Sequence, residues 1–377
     1  MDSPEKFSHF QGREFPGPYS RLAFLKPGDI FFLLMSLSSS SIPGSAVTPE
    51  RILQMSWGFA PPLILEVAIQ HQMFDFLDNT PGHTVAEVAV HTGGSERGWR
   101  AILNALASFQ FLNKEEERYT TTPESSAFLV AGKPAFIGGL FKHTSRQLIP
   151  AWLQLSEIVK TGQPAQAADH PEHGEKFFAE FVSDIFNLSY PSARLLATHL
   201  QLEKSESAVS VLDLAAGAGV WGIALAQSSP RVHVIAVDWP GVLPVTRQHA
   251  ERFGLGGQFS YRAGDLLEVE FPTGMDVATL GHIIHSEDAA RSRALLKRVH
   301  AALKPGGTIA IAEFTPNATR TGPPQALIFA VNMLVNSQAG DTFPFVEVQS
   351  WLKESGFVDA RELPCPGPAP LILATRG

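Results

Sequence analysis

The spacing of apolar positions changes twice along this chain, and each change marks a different kind of structure. From Thr48 the period is helical: Thr48-Pro49-Glu50 is a capped start with proline at the first helical position, and Ile52, Met55, Phe59, Leu63 and Val67 follow at helical intervals around Pro61-Pro62. Thr84 and Glu87 then have the spacing of a capping box. A third helix, Ser95–Phe109, places Trp99, Ile102, Leu103 and Leu106 on one face. Phe111-Leu112, the charged turn Glu115-Glu116-Glu117 and the strand Arg118–Thr121 predict a short hairpin, so the unit reads as a winged helix. Two further helical stretches, Phe136–Val159 and Lys176–Leu200, flank the polar insert Gly162–Gly174. Their many rings belong to a core by default, with a minority, Phe181 among the candidates, lining an apolar pocket against the next domain.

From Val209 the pattern alternates strand and helix. Strands are expected at 209–213, 232–237, 259–262, 276–281 and 308–314, with helices at 219–227, 241–253 and 287–303. Such alternation predicts a doubly wound parallel sheet, an α/β fold. Helices near Ala326–Asn336 and Val346–Ser355 follow, and the runs Ala360–Leu363 and Leu371–Thr375 suit an antiparallel finish. Residues 1–47, rich in Gly, Pro and Ser and without a period, read as an extension; 48–205 form the helical domain and 206–377 the α/β domain.

Composition narrows the partners. With 44% hydrophobic and 18% charged residues in 377, the chain can build sizeable cores. A net charge of −8 without a basic cluster argues against nucleic acid. The candidate recognition helix offers only Arg97 and Arg100, and the acidic turn would face phosphate, so packing and dimerisation is the expected role of the winged helix rather than DNA binding. The run Ile30–Leu37 is too short for a bilayer, which needs about 20 residues, and the charged segment before it is too long for a signal peptide; no membrane partner and no secretion are expected. One cysteine, Cys365, excludes an internal disulfide and suits a cytoplasmic location, and the 13 histidines show no ligand spacing, so no metal is expected.

Candidate chemistry gathers around Val209–Asp238. Its loop, Ala215-Ala216-Gly217-Ala218-Gly219, breaks the first strand of the α/β domain, and Gly217, Gly219 and Gly222 also satisfy the dinucleotide pattern GxGxxG. Asp213 ahead of the loop is read as a carboxylate at its mouth, which would repel a pyrophosphate and attract an ammonium group. Asp238 closes the second strand, where an acid accepts ribose hydroxyls, and Trp239 beside it either covers an adenine edge or is core. Asp265 can accept from an adenine amino group while Leu266 packs on the ring, and Leu303-Lys304-Pro305-Gly306-Gly307 is a helix stop and tight turn.

Together these features resemble S-adenosylmethionine-dependent class I methyltransferases. From about Thr48 onward the chain resembles the small-molecule O-methyltransferases typified by acetylserotonin, polyketide and plant phenolic enzymes, in the order winged helix, DLAAGAG, Asp238, Gly264-Asp265, His285, LKPGG and Asn332-Met333-Leu334. The resemblance implies a Rossmann-like seven-stranded methyltransferase sheet with an N-terminal winged-helix dimerisation domain, a homodimer, and S-adenosyl-L-methionine held by Gly217, Gly219, Asp238, Asp265 and Leu266. It also implies His285 as general base on a hydroxyl of a small, aromatic or polyketide-like substrate.

An imidazole near pKa 6.5 is a reasonable acceptor for a phenol near 10, because the proton leaves as the oxygen attacks. Family members commonly carry Asp directly after this histidine, where the chain has Ser286, read as a helix N-cap. Glu313 matches a family glutamate and is the first choice to orient His285, with Asp341 next. His282 either contacts the cofactor, fills the strand end or acts as a second catalytic group. Asn332 and Met333 either line the substrate pocket or pack their helix. Same-fold decarboxylation, hydroxylation or ring formation, and a cofactor-sensing regulator, are the alternative functions.

Overall fold

A computed structural model describes residues 47–78, 81–168, 171–367 and 369–377. The expected extension, 1–47, and the run Ile30–Leu37 lie outside these residues except for Val47. Two sheets organise the described chain, and residues Ile52–Gly377 form one compact unit.

The first sheet is small: β1 (His83–Thr84), β2 (Leu112–Glu115) and β3 (Arg118–Thr121) in the order β1-β3-β2, all antiparallel. It packs with the helices Val85–Thr92 and Glu96–Ser108 around Phe74, Leu103, Leu106 and Tyr119, which is the helix–turn–helix and hairpin that the spacing predicts. The capping box forms: Thr84 Oγ1 accepts from Glu87 N–H at 3.3 Å, and Thr84 N–H donates to Glu87 Oε2 at 2.7 Å. The apolar stretch Glu50–Gln70 is long and apolar enough to cross a membrane by length and composition. It is two helices, Glu50–Ser56 and Ala60–Gln70, parted by a turn, and Leu65 and Ala68 are buried in the same core. Phe136–Val159 is not one helix but Gly139–His143, a π-helical turn Thr144–Leu148, Ile149–Trp152 and Leu155–Thr161. Lys176–Leu200 likewise divides into Pro171–Phe181 and Phe186–His199.

The second sheet has seven strands: β4 (Val209–Leu214), β5 (Val232–Asp238), β6 (Phe259–Ala263), β7 (Met275–Gly281), β8 (Leu303–Ala312), β9 (Phe357–Leu363) and β10 (Leu371–Arg376), in the order β6-β5-β4-β7-β8-β10-β9. Pairs among β4–β8 are parallel, and β10 runs antiparallel to both β8 and β9, the finish expected from the short last connection. Fully buried parallel strands explain the near-continuous Val/Ile/Leu runs. Two clusters cover the faces, one around Leu196, Ile223 and Val234, the other around Leu212, Leu280, Leu296 and Trp351. The strand order reverses between β4 and β7, and at such a switch point the crevice beyond the strand ends receives ligands.

Candidate active site

The glycine loop rises from the carboxyl end of β4 at the switch point. Ala215, Gly217 and Gly219 have φ of 50°, 55° and 76°, so the chain turns through left-handed geometry before the helix Val220–Ala226 begins. Gly222, inside that helix, lets it approach the sheet: a Cβ there would stand 2.7 Å from Val234 Cγ1. Asp238, at the end of β5, spans the loop, its Oδ2 accepting from Gly217 N–H at 2.8 Å and its Oδ1 from Trp239 N–H at 2.7 Å. Burial pushes its carboxyl up to about 6 against these two hydrogen bonds.

Asp213 corrects the reading at the loop mouth. Its carboxylate has no exposed surface; Oδ2 accepts from Gly222 N–H at 2.9 Å and Oδ1 from the Thr279 hydroxyl at 2.7 Å. It clasps the helix after the loop to β4 and β7 instead of facing a ligand. Burial, partly opposed by those bonds, raises its pKa to about 7. Strand alternation permits either face, and only the packing of the following helix selects the inward one.

Asp265 is already engaged, with Oδ1 on Leu267 N–H at 2.8 Å and Oδ2 on the Arg291 guanidinium at 3.3 Å. Leu266 is buried in the core cluster beneath β4, β5 and β7. Ser286 is no cap: it ends a 3₁₀ turn, Ile284–Ser286, and Asp288 caps the helix Ala289–Ala302 by accepting from Arg291 N–H at 2.7 Å.

The 3₁₀ turn carries His285 to the carboxyl end of β7, 7% exposed. Its Nδ1 lies 2.7 Å from Glu313 Oε2, and its backbone N–H donates to Glu313 Oε1 at 3.3 Å. Glu313 directly follows β8, and the register pairing Gly281 with Ala312 brings the two residues together across 28 positions. Burial alone would raise the Glu313 carboxyl, but the charge and hydrogen bonds of His285, with a contribution from His282, hold it below its ordinary value. Asp341 does not reach the ring. Its N–H donates to the His285 carbonyl at 3.0 Å, while its carboxylate meets Arg320 at 3.2 Å. His282 has φ 61° and a buried Nδ1 without a partner among the described residues, and desolvation lowers its pKa to about 4, so it is neutral at pH 7.

Donor atoms of His282, His285 and Glu313 lie within 4.8 Å of one another, a cluster that chain spacing conceals. That spread is wider than the roughly 3.4 Å between tetrahedral ligands each about 2.1 Å from a zinc ion. An ordinary hydrogen bond between His285 Nδ1 and Glu313 Oε2 accounts for the closest contact.

Aromatic side chains roof the dyad. Phe329 meets the His285 ring edge-on at 4.8 Å and 79°, and Phe314 stacks on Phe329 at 4.0 Å. Phe329 stands on the helix Pro324–Asn336 with Asn332 and Met333, at the i, i+3, i+4 spacing that could have announced it. Asn332 Oδ1 accepts from Trp152 Nε1 and from Asn336 Nδ2, both at 3.0 Å, so it ties the helix Ile149–Trp152 to this one; Met333 is buried. Phe181 stacks on His143 at 4.3 Å, in a cluster with Phe177 and Phe178 that reaches Trp239 at 5.9 Å.

Two family models match this architecture: an O-methyltransferase domain over residues 162–358 and an O-methyltransferase dimerisation domain over 53–131. The chain belongs to the O-methyltransferase family. The methyltransferase is 28% identical over 331 residues to 3-hydroxy-5-methyl-1-naphthoate 3-O-methyltransferase of Streptomyces sahachiroi, covering 86% of this chain and 94% of the relative. It is 27% identical over 333 residues to the tetracenomycin polyketide synthesis 8-O-methyl transferase of Streptomyces glaucescens, covering 87% and 97%. The fold matches human N-acetylserotonin methyltransferase in complex with S-adenosylmethionine, with a TM-score of 0.77, 23% identity and 89% and 99% of the two chains covered. Its cofactor is S-adenosyl-L-methionine. The switch-point cleft fits that group: Gly217 and Gly219 keep the loop surface free of side chains, and the half-buried Asp238 carboxylate keeps lone pairs that could accept from hydroxyls.

Proposed function

We propose that the methyltransferase methylates a hydroxyl of an aromatic, polyketide-like small molecule and that His285 removes the hydroxyl proton. One observation carries the proton step: the buried 2.7 Å contact between His285 Nδ1 and Glu313 Oε2. With Glu313 ionised, Nδ1–H donates to it, which leaves Nε2 as the ring atom to take the substrate's proton. A glutamate in this position partners the base without an acid at 286, which supports methyl transfer over the non-methylating alternatives.

Bound S-adenosyl-L-methionine supplies an electrophilic methyl group on a sulfonium. Asp238 and the loop Ala215–Gly219 would hold it, and Trp239, Asp265, Leu266 and His282 are the further candidates for contact with it. Phe314 and Phe329 exclude water around the dyad, and Asn332, locked by Trp152, fixes the helix that carries Phe329 and Met333. Phe181 belongs to the aromatic wall on the other side. Residues 48–205 then serve as dimerisation and lid domain of a homodimer and 206–377 as the catalytic domain, in a cytoplasm that keeps the single Cys365 a free thiol.

Labelled cofactor and a panel of naphthols, hydroxynaphthoates and simpler phenols test the reading. His285→Ala is expected to lower kcat by about 10²–10⁴ with cofactor binding retained. Wild-type turnover in that variant would remove the base.

A further inference from the structure

The helix Pro171–Phe181 lies against the end of β5, and its residues from Gly174 onward meet Trp239 and Gly241. A Cβ on Gly174 would stand 2.3 Å from the Trp239 ring, so the indole lies directly against the backbone. Glu175 Oε2 accepts from Gly241 N–H at 2.9 Å. Phe178 meets Trp239 edge-on, and a Cβ on Gly217 would come to 3.4 Å from Val182 Cγ1, just past the helix end. Just before this stretch, Ala168 N–H donates to the Asn336 carbonyl at 2.7 Å, at the end of the helix whose Phe329 packs on His285. This strap, residues 174–182, therefore lies over the end of β5 and beside the glycine loop, and Ala168 ahead of it is tied to the substrate-side helix.

We propose that Glu175 is a positioning residue for the methyl donor: through Gly241 it latches this strap over the cofactor cleft and so controls cofactor exchange. Among the described residues Glu175 is the charged side chain that joins this helix to the loop after β5, and its carboxylate also stands close enough to Asp238 to act on it. Around Asp238 the titratable groups are Glu175 on the strap and Asp213 on β4, with the N–H groups of Gly217 and Trp239 as its hydrogen-bond donors. The latch is independent of whether His285 acts as the base.

Stopped-flow release and equilibrium binding of S-adenosylhomocysteine to the full chain test it without turnover. Glu175→Ala loses both the acceptor and the charge, and is expected to release the ligand roughly fivefold to tenfold faster, the effect of one lost hydrogen bond. Glu175→Gln keeps an acceptor for Gly241 and is expected to restore slow release. Having lost the neighbouring charge, it is also expected to carry the acid limb of ligand binding to lower pH, because Asp238 then ionises more easily. A fold-only role would shift melting temperature and leave that limb in place. Unchanged release in Glu175→Ala, failure of Glu175→Gln to restore it, or an unmoved acid limb would each overturn the latch.

Discussion

A carboxylate without exposed surface makes the stability of this methyltransferase depend on pH. Asp213 has its pKa raised to about 7 when folded, against about 3.9 in an unfolded chain. Between those values the folded protein keeps a proton that the unfolded chain has released, so this group's contribution falls as pH rises from about 4 to 7 and is level above. The loss is at most on the order of 4 kcal/mol. Asp213→Asn can still accept from Gly222 N–H and can donate to Thr279, and it has no charge to bury. It is expected to flatten the decline between pH 5 and 8 in urea unfolding and to be the more stable protein at pH 8. An unchanged slope would take the pH dependence away from Asp213. Asp213→Ala should lose about 1–3 kcal/mol for each partner left unsatisfied.

Among the elements, the contact between the helix Val220–Ala226 and the carboxyl end of β7 has the least room. A Cβ on Gly281 would stand 1.9 Å from Trp221 Nε1, and Trp221 is itself buried. The overlap falls on a rigid ring, so Gly281→Ala is expected to cost about 1–3 kcal/mol or more by overpacking. Gly222→Ala overlaps Val234 Cγ1, a smaller group, and should cost less. At Gly257 an added Cβ meets nothing within 4 Å, so Gly257→Ala is the neutral control. Urea midpoints ranked in that order would support the packing argument, as would partial recovery of Gly281→Ala by Trp221→Phe; a neutral Gly281→Ala would refute it. The position matters for function because His282 follows Gly281 directly and His285 stands four residues beyond it, so a shifted strand end moves the dyad.

At the scale of the whole molecule, one apolar surface lies outside every core described. Ile52, Met55, Trp57 and Phe59 are 57–72% exposed on or beside the helix Glu50–Ser56, within or adjoining the matched dimerisation domain. Exposed aromatic and aliphatic groups on this scale are a liability for a monomer and suit a subunit interface. The pair Met55→Glu and Trp57→Glu is expected to halve the mass in sedimentation equilibrium while leaving the far-ultraviolet circular dichroism unchanged; an unaltered mass would place the interface elsewhere. Sequence alone determined the features that depend on near neighbours: helical against alternating period, the Thr84–Glu87 box, the turn at Gly217 and Gly219, the acid ending β5, and the short antiparallel finish. It divided the helical region poorly, because apolar spacing continues across the breaks at 153–154 and 182–185. Tertiary structure decided which way Asp213 points, that Glu313 rather than Asp341 holds His285, that Asn332 answers Trp152 across 180 positions, and that Glu175 meets Gly241. A periodicity or a φ requirement is a property of adjacent residues. The meeting of two side chains depends on strand order and register, here the placing of Gly281 opposite Ala312, and that is settled only when the whole sheet has assembled.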